Sequence, residues 1–400
     1  MQGGVLTLNN KRMVELLQRM VEVNTVNPPG DERKLAEIMC EFISAYGLEC
    51  QLHQVDENRS NIVVILRGKD PALKRLYFNG HLDTVPIGEQ PWTVNPFGAE
   101  IKDGRIYGRG TTDMKGGVAA LLETMMILKE SEFPLEQDVV FVGTVGEEVD
   151  CLGAKAAVEK GLIENPGAIL IAEPSCLDLY VAHKGVLWVE IRTYGKTAHG
   201  SMPNEGVNAI DSMMYILNEL QELKLDEVDE LLGTMSQSVN VINGGVATNV
   251  VPDYCTLNLD FRTVAASQHP KILDEITVII DRLSDEKIGF EAEYTVLQNL
   301  EPLINKNESA FIKKLQHTNQ QMYQKSAQNR SANYYTDGSV FRKYFDGPIL
   351  IYGAGDTTLA HQPDESISID NLENSVKFYL RLVETYQAFN KTKEKELLNQ

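Results

Sequence analysis

The stretch VVFVGTVGEEVDCLGAKAAVEKGLIENPGAILIAE, residues 139–173, decides the fold. Its two ends, 139–145 and 168–172, are apolar runs of the kind that form buried strands. Between them a helical pattern covers Ala154 to Glu159. A strand, a helix and a second strand in this order belong to an α/β sheet flanked by helices. Each strand also ends in acid, Glu147 and Glu148 after the first and Glu173 after the second. Ligands of α/β sheets sit at such strand ends. Adjacent glutamates are equally the composition of a solvated loop, so the choice depends on what converges on them.

Working toward the N-terminus, β-rich runs at 61–66 and 75–78 predict two more strands. Met13, Leu16, Leu17, Met20 and Val21 recur at helical spacing, and so do Leu35, Ile38, Met39 and Phe42 after the break Asn27-Pro28-Pro29-Gly30. Toward the C-terminus the character changes near His183. Residues 186–192 alternate like a strand, 207–223 read as a helix, 256–262 as a strand, 272–283 as a helix and 290–296 as a strand, in the manner of a β-α-β-β-α-β unit. Beyond Asn299 the helix-strand alternation returns, with a strand at 349–352 and a closing helix over 371–386. The fold class expected is therefore an α/β domain with a mixed sheet and flanking helices, built from residues 1–182 and 298–400. An inserted α+β, ferredoxin-like domain at 183–297 interrupts it.

Length and charge narrow the function. The chain has 400 residues, 43% hydrophobic and 24% charged, ordinary for a globular protein of two domains. Its 37 Lys and Arg against 57 Asp and Glu leave a formal charge of −20, the wrong sign for a nucleic-acid or anionic-membrane partner. With no spanning apolar run and no signal pattern, the expected location is cytoplasmic. Five cysteines, Cys40, Cys50, Cys151, Cys176 and Cys255, form no C-x-x-C pair and are expected to be reduced packing residues.

Four further segments carry candidate chemistry. In Phe78-Asn79-Gly80-His81-Leu82-Asp83, residues two apart on an extended chain point the same way, so His81 and Asp83 can serve one site. A ligating histidine usually gives its other N–H to a carboxylate, a role Asp83 would fill; a packed histidine beside a capping aspartate is the plainer alternative. Gly108-Arg109-Gly110-Thr111-Thr112-Asp113-Met114-Lys115-Gly116-Gly117 opens an apolar helix without either phosphate-loop pattern, leaving Asp113 as an N-cap or a metal ligand. Ile169-Leu170-Ile171-Ala172-Glu173-Pro174 and Ala360-His361-Gln362-Pro363-Asp364-Glu365 each put a ligand type just beyond a strand.

With these segments together, the sequence resembles a known family. GHLDTVP, YGRGTTDMKGG, GEEVDCLGAK, IAEPS and AHQPDE, in this order, are similar to the dinuclear zinc deacylases and carboxypeptidases of the acetylornithine deacetylase and succinyl-diaminopimelate desuccinylase type. The resemblance implies two Zn²⁺ per subunit, one held by His81 and Glu173, the other by Glu148 and His361, with Asp113 bridging. It implies Glu147 as general acid/base, Asp83 as the orienting partner of His81, and a cis bond after Asp113. Oxygen and imidazole ligands also suit Co²⁺ or Mn²⁺, so zinc rests on the resemblance. Two divalent ions, the three ligand carboxylates and one hydroxide sum to neutrality, which a buried site requires.

In the insert, Thr197-Ala198-His199-Gly200-Ser201-Met202-Pro203, Asn249 and Arg262 read unaided as surface residues. The resemblance instead implies that the insert pairs two subunits and that His199 stabilises the oxyanion of the partner's site. It implies that Asn249 and Arg262 hold substrate, and that Thr336, Gly353, Ala354 and Gly355 line the pocket. Gly200 departs from the Ser or Ala common in relatives. His53, His269 and His317 are assigned to surface or packing, and His183 to a hinge or surface role. The expected reaction is amide hydrolysis of a small N-acylated amino acid by a homodimer, with N-succinyl-diaminopimelate the first substrate expected and N-acetylornithine the second. Aminoacylase or dipeptidase activity stands behind these. A non-catalytic binding protein has no use for Glu147 outside the ligand set, which favours an enzyme.

Overall fold

A computed structural model describes residues 8–223, 226–305, 309–325 and 328–398. The chain forms two compact units: residues 1–182, 304–330 and 336–400 make the first, and 183–303 with 331–335 the second.

In the first unit, Asn9 caps helix Asn10–Val21 by accepting the Arg12 N–H, and the helix buries Met13, Leu16, Leu17, Met20 and Val21, the stripe visible in the sequence. Helix Glu32–Ser44 follows with a second amphipathic face. Four parallel neighbours form the middle of the sheet, in the order Val139–Thr144, Arg75–His81, Pro166–Ile171, Ile349–Ile351. Arg59–Leu66 joins antiparallel beside Val139–Thr144, and Cys50–Asp56 lies outside it. The sheet is thus mixed, as expected. The central strands are buried along nearly their whole length, which is why they read as apolar runs rather than alternations. Helix Gly116–Glu130 is buried from Gly116 to Leu128 on every side, and the long helix Ile369–Leu398 closes the unit. No helix among the described residues is long and apolar enough to cross a membrane.

The parallel arrangement aligns the strand ends. His81 pairs with Thr144, and Ile171 pairs with both Asn79 and Ile351. Segments leaving these ends therefore start side by side, and they are the segments carrying His81, Glu147, Glu148, Glu173 and His361.

The second unit has the β-α-β-β-α-β order expected. Its antiparallel sheet runs Ser236–Gly244, Tyr254–Thr263, Gly185–Tyr194, Glu291–Leu300. Leu187, Val189, Ile191, Leu257, Leu259 and Phe261 alternate onto one face and pack with Ile216 and Ile276 of helices Ala209–Gln221 and Gln268–Glu286.

Several strands escape the sequence patterns, the two longest being Cys50–Asp56 and Ser236–Gly244. Both pair on one side only in their sheets and are largely exposed, so neither needs an apolar run. One expectation is corrected. Cys40 and Cys50 are not separate reduced packing residues but a disulfide, with Cα atoms 5.4 Å apart. The chain reverses between helix Glu32–Ser44 and strand Cys50–Asp56, bringing residues ten apart within disulfide reach. Cys151 and Cys255 are free and buried, and Cys176 is free and half-buried.

Candidate metal centre

Beyond the Arg75–His81 strand, the His81 ring is fully buried. Its Nδ1 lies 3.0 Å from the Asp83 carbonyl oxygen and its Nε2 lies 3.1 Å from Asp113 Oδ1 and 3.6 Å from Glu173 Oε1. The Asp113 segment is a tight turn, Thr111–Lys115, and the Asp113–Met114 peptide bond is cis, as the resemblance implies. On the other side, His361 Nε2 lies 3.3 Å from Asp113 Oδ2 and 3.3 Å from Glu148 Oε2. One carboxylate therefore faces two ligand clusters, one oxygen to each. Glu147, 5% exposed, offers an oxygen within 4.8 Å of ligand atoms of His81 and Glu173.

Asp83 does more than the sequence suggests. It is His81's backbone neighbour that meets Nδ1 most closely, while the Asp83 carboxylate lies 3.6 Å from that nitrogen. The carboxylate instead accepts the backbone N–H groups of Gly146, Glu147 and Glu148 at 3.0, 3.1 and 3.2 Å, and the Asn27 amide at 2.9 Å. It holds the turn that presents the two glutamates.

Charge makes this cluster unusual. Burial raises the pKa of Glu147 and Glu173 well above the carboxylate range; neighbouring Glu173 adds to the first and Asp113 to the second. Burial and Asp113 together raise Glu148. Burial alone would lower His81, but Glu173 and the Asp113 hydrogen bond outweigh it and hold the imidazole well above its ordinary value. Hydrogen bonds that the His361 ring donates to the Asp113 and Glu148 carboxylates take its pKa up to about 10. Even with both imidazoles charged, two of the four carboxylates Asp113, Glu147, Glu148 and Glu173 lack a balancing charge. Divalent cations would supply that missing positive charge, and a buried oxygen, Glu148 Oε1, has no hydrogen-bond partner among the described residues. Oxygen and imidazole donors disposed as two clusters around a shared carboxylate fit a pair of such ions.

The remaining predicted residues fall into two groups. Gly353 and Gly355 lie on the first unit, against the backbone that carries Glu173 and Asp113. A Cβ at Gly353 would stand 2.4 Å from the Glu173 carbonyl oxygen, and one at Gly355 2.4 Å from that of Thr112, so only glycine permits the approach. Ala354 between them is buried, and Thr336 is buried with its hydroxyl accepting the Gly338 N–H. His199, Asn249 and Arg262 belong to the second unit. The His199 loop is tied to the Asn249 loop by a Gly200 N–H to Asn249 oxygen bond of 2.8 Å, and His199 Nδ1 lies 2.8 Å from the Ser201 hydroxyl. Arg262 pairs with Asp260 at 2.9 Å and lies over the Tyr335 ring.

Of the other histidines, His269 is buried between Thr263 and Asn299, both at 2.7 Å, a packing role within the second unit. His183 Nδ1 lies 2.8 Å from the Lys184 oxygen. Two buried acids lie in segments the sequence singles out, yet nothing in the sequence assigns them a role. Asp337 accepts the Thr144 hydroxyl behind the Glu147 turn, and burial lifts its pKa to about 6. Glu365 sits within AHQPDE, and the only available signal was its place in that segment.

Known proteins resemble this chain along nearly its whole length. A model of Peptidase family M20/M25/M40 matches residues 77–385. A probable succinyl-diaminopimelate desuccinylase of Staphylococcus aureus (strain N315) is 29% identical, over 95% of this chain and 97% of its own length. An acetylornithine deacetylase of Buchnera aphidicola subsp. Schizaphis graminum is 27% identical, over 94% and 97%. The crystal structure of a tripeptidase from Staphylococcus aureus subsp. aureus Mu50 superposes with a TM-score of 0.78 at 25% identity, covering 95% of this chain and 99% of that one.

Proposed function

The chain belongs to Peptidase family M20/M25/M40 and is a hydrolase, and we propose that it cleaves the amide bond of a small N-acylated amino acid at a dinuclear metal centre. One observation carries the reading: Asp113 turns one oxygen to His81 and Glu173 and the other to His361 and Glu148, with Glu147 beside the cluster. His81, Asp113 and Glu173 hold one cation and His361, Asp113 and Glu148 the other, two Zn²⁺ by preference, with Co²⁺ or Mn²⁺ compatible. When bound, such a pair acidifies a water and polarises the scissile carbonyl.

The protein's own groups then divide the work. Glu147, a buried carboxylate beside the cluster, takes the proton of the attacking water and delivers it to the departing amine. Asp83 fixes the Glu147 backbone so that its carboxyl stays at reach. Thr336 and Gly353 to Gly355 shape the pocket wall. In a homodimer formed through the second unit, His199 stabilises the oxyanion of the partner's site, and Asn249 and Arg262 grip the substrate, the arginine through its carboxylate.

N-succinyl-diaminopimelate is the first substrate of the proposal, supported by relatives of that name matching nearly end to end. N-acetylornithine is the alternative. Short peptides form a second reading, favoured by the tripeptidase structure. The deciding experiment is hydrolysis of a panel containing both acylated amino acids, other acetylated amino acids, dipeptides and tripeptides by the zinc-loaded protein. A clear preference for succinyl-diaminopimelate supports the proposal, and exclusive turnover of peptides replaces it.

A further inference from the structure

Glu365 is buried, 1% exposed, and each of its oxygens is fully engaged. Oε1 accepts the backbone N–H groups of Thr112 at 2.8 Å and Asp113 at 3.1 Å; Oε2 accepts the Gly110 N–H at 3.1 Å and Arg109 Nη1 at 2.6 Å. Two of the four donors belong to the turn that presents Asp113, and a third, Gly110, immediately precedes it. Glu365 itself stands four residues after His361. A single side chain therefore spans the two segments that face each other across the second cation position.

The surrounding contacts point to the same brace. His361 has a half-exposed side chain and a left-handed backbone, φ 63°, and Asp364 is left-handed as well, φ 54°. Non-glycine residues keep that conformation only where their surroundings over-determine it. Here the turn is pinned at three places. The Asp364 carboxylate accepts the Thr93 N–H and hydroxyl at 2.7 and 2.9 Å. Arg109 Nη1 reaches the Gln362 oxygen at 3.3 Å, while its Nη2 reaches the Pro86 oxygen and its guanidinium lies over Trp92. Glu365 supplies the third pin. By contrast, His81 and Glu173 leave strands of the buried sheet and need no such brace.

We propose that Glu365, backed by Arg109, is a positioning residue that sets the distance from His361 to Asp113 and so builds the second cation site. The inference rests on the dinuclear reading above. Glutamine in its place has nearly the same shape but presents an NH₂ group to N–H donors and a guanidinium, so one arm of the clamp opens. The turn then relaxes, and His361 leaves Asp113 while His81, Asp113 and Glu173 stay together.

Cobalt(II) alone is the probe, with calorimetric titration and the visible absorption of bound Co²⁺ as readouts. The parent protein binds two equivalents. Glu365→Gln is expected to weaken the second equivalent at least ~10-fold, the scale of lost outer-shell partners, with loss of that site's absorption band, and to change the first by less than about threefold on the same scale. Asp364→Ala, which frees the same turn at Thr93 without unpairing a buried group, is expected to act in the same direction and more weakly; it decides the matter should Glu365→Gln not fold. Retention of the second equivalent at parental affinity in the folded variants overturns the proposal. So does equal weakening of both equivalents, the sign of general loosening. A parent that binds fewer than two ions removes the dinuclear reading, and this inference with it.

Discussion

His81 and His361 meet at one carboxylate, their Nε2 atoms 3.1 and 3.3 Å from opposite oxygens of Asp113. Two ions placed here share a ligand, so their affinities are linked through it. Asp113→Ala is expected to weaken both cobalt equivalents by more than the ~10–100-fold typical of outer-shell partners. One tight equivalent surviving in a calorimetric titration would mean that the carboxylate is not shared.

In the proposal Glu147 acts beside the five ligands that divide between the two ions, its carboxylate within 4.8 Å of ligand atoms of His81 and Glu173. Glu147→Gln is expected to keep two metal ions, counted by elemental analysis, and to lose ~10²–10⁴-fold in kcat, the range of a positioned general base. Unchanged turnover would reassign the proton transfer to another group.

The Asp83 carboxylate pairs three consecutive backbone N–H groups and an amide. Asp83→Ala leaves those buried donors unpaired, each costing about 1–3 kcal/mol. Urea denaturation of the metal-free protein should show a loss of at least about 3 kcal/mol on that scale, and kcat should fall as well because the Glu147 turn loosens. A loss within the range of a surface substitution would show that the turn holds itself.

Lys115 is fully buried, its Nζ donating to the Met20 and Val23 oxygens at 2.9 Å each, and burial lowers its pKa to about 7. The unfolded chain keeps the ordinary value, 10.5. As pH falls from 10.5 to 7, the unfolded state takes up a proton that the folded state refuses, so folding weakens; below 7 both are charged and the change stops. Relative to Lys115→Met, the native chain should therefore lose up to about 1.4 kcal/mol per pH unit across that window. Parallel stability curves for the two proteins from pH 7 to 10 would contradict the shifted amine.

His199 tests the homodimer in the proposal. His199→Ala should lower turnover and leave metal content intact. Mixed with Glu147→Ala chains, it should recover activity, because one hybrid site receives both missing groups. No recovery after demonstrated subunit exchange would place His199 in the site of its own chain or outside catalysis.

How far the sequence reaches differs from element to element. The central strands and the helix Asn10–Val21 were legible because burial on both faces, or along one stripe, forces a periodic apolar pattern. Cys50–Asp56 and Ser236–Gly244 were not, since a mostly exposed outer strand obeys no such constraint. The Cys40–Cys50 disulfide escaped because the spacing of two cysteines carries no record of a chain reversal between them. His81 was read with the Asp83 carboxylate as its orienting partner, yet the closest contact is the Asp83 carbonyl, and the carboxylate turns to the Glu147 loop.

The order of strands, the acids and imidazoles at their ends and the family they announce were all written in the linear chain, because local periodicity and residue type survive without a fold. What only the tertiary structure decided is how those groups divide: which oxygen of Asp113 faces which imidazole, and which backbone N–H groups the buried acids Asp83 and Glu365 accept. A carboxylate's role follows from the donors within about 3 Å of it, and those donors come from segments up to 256 residues away along the chain.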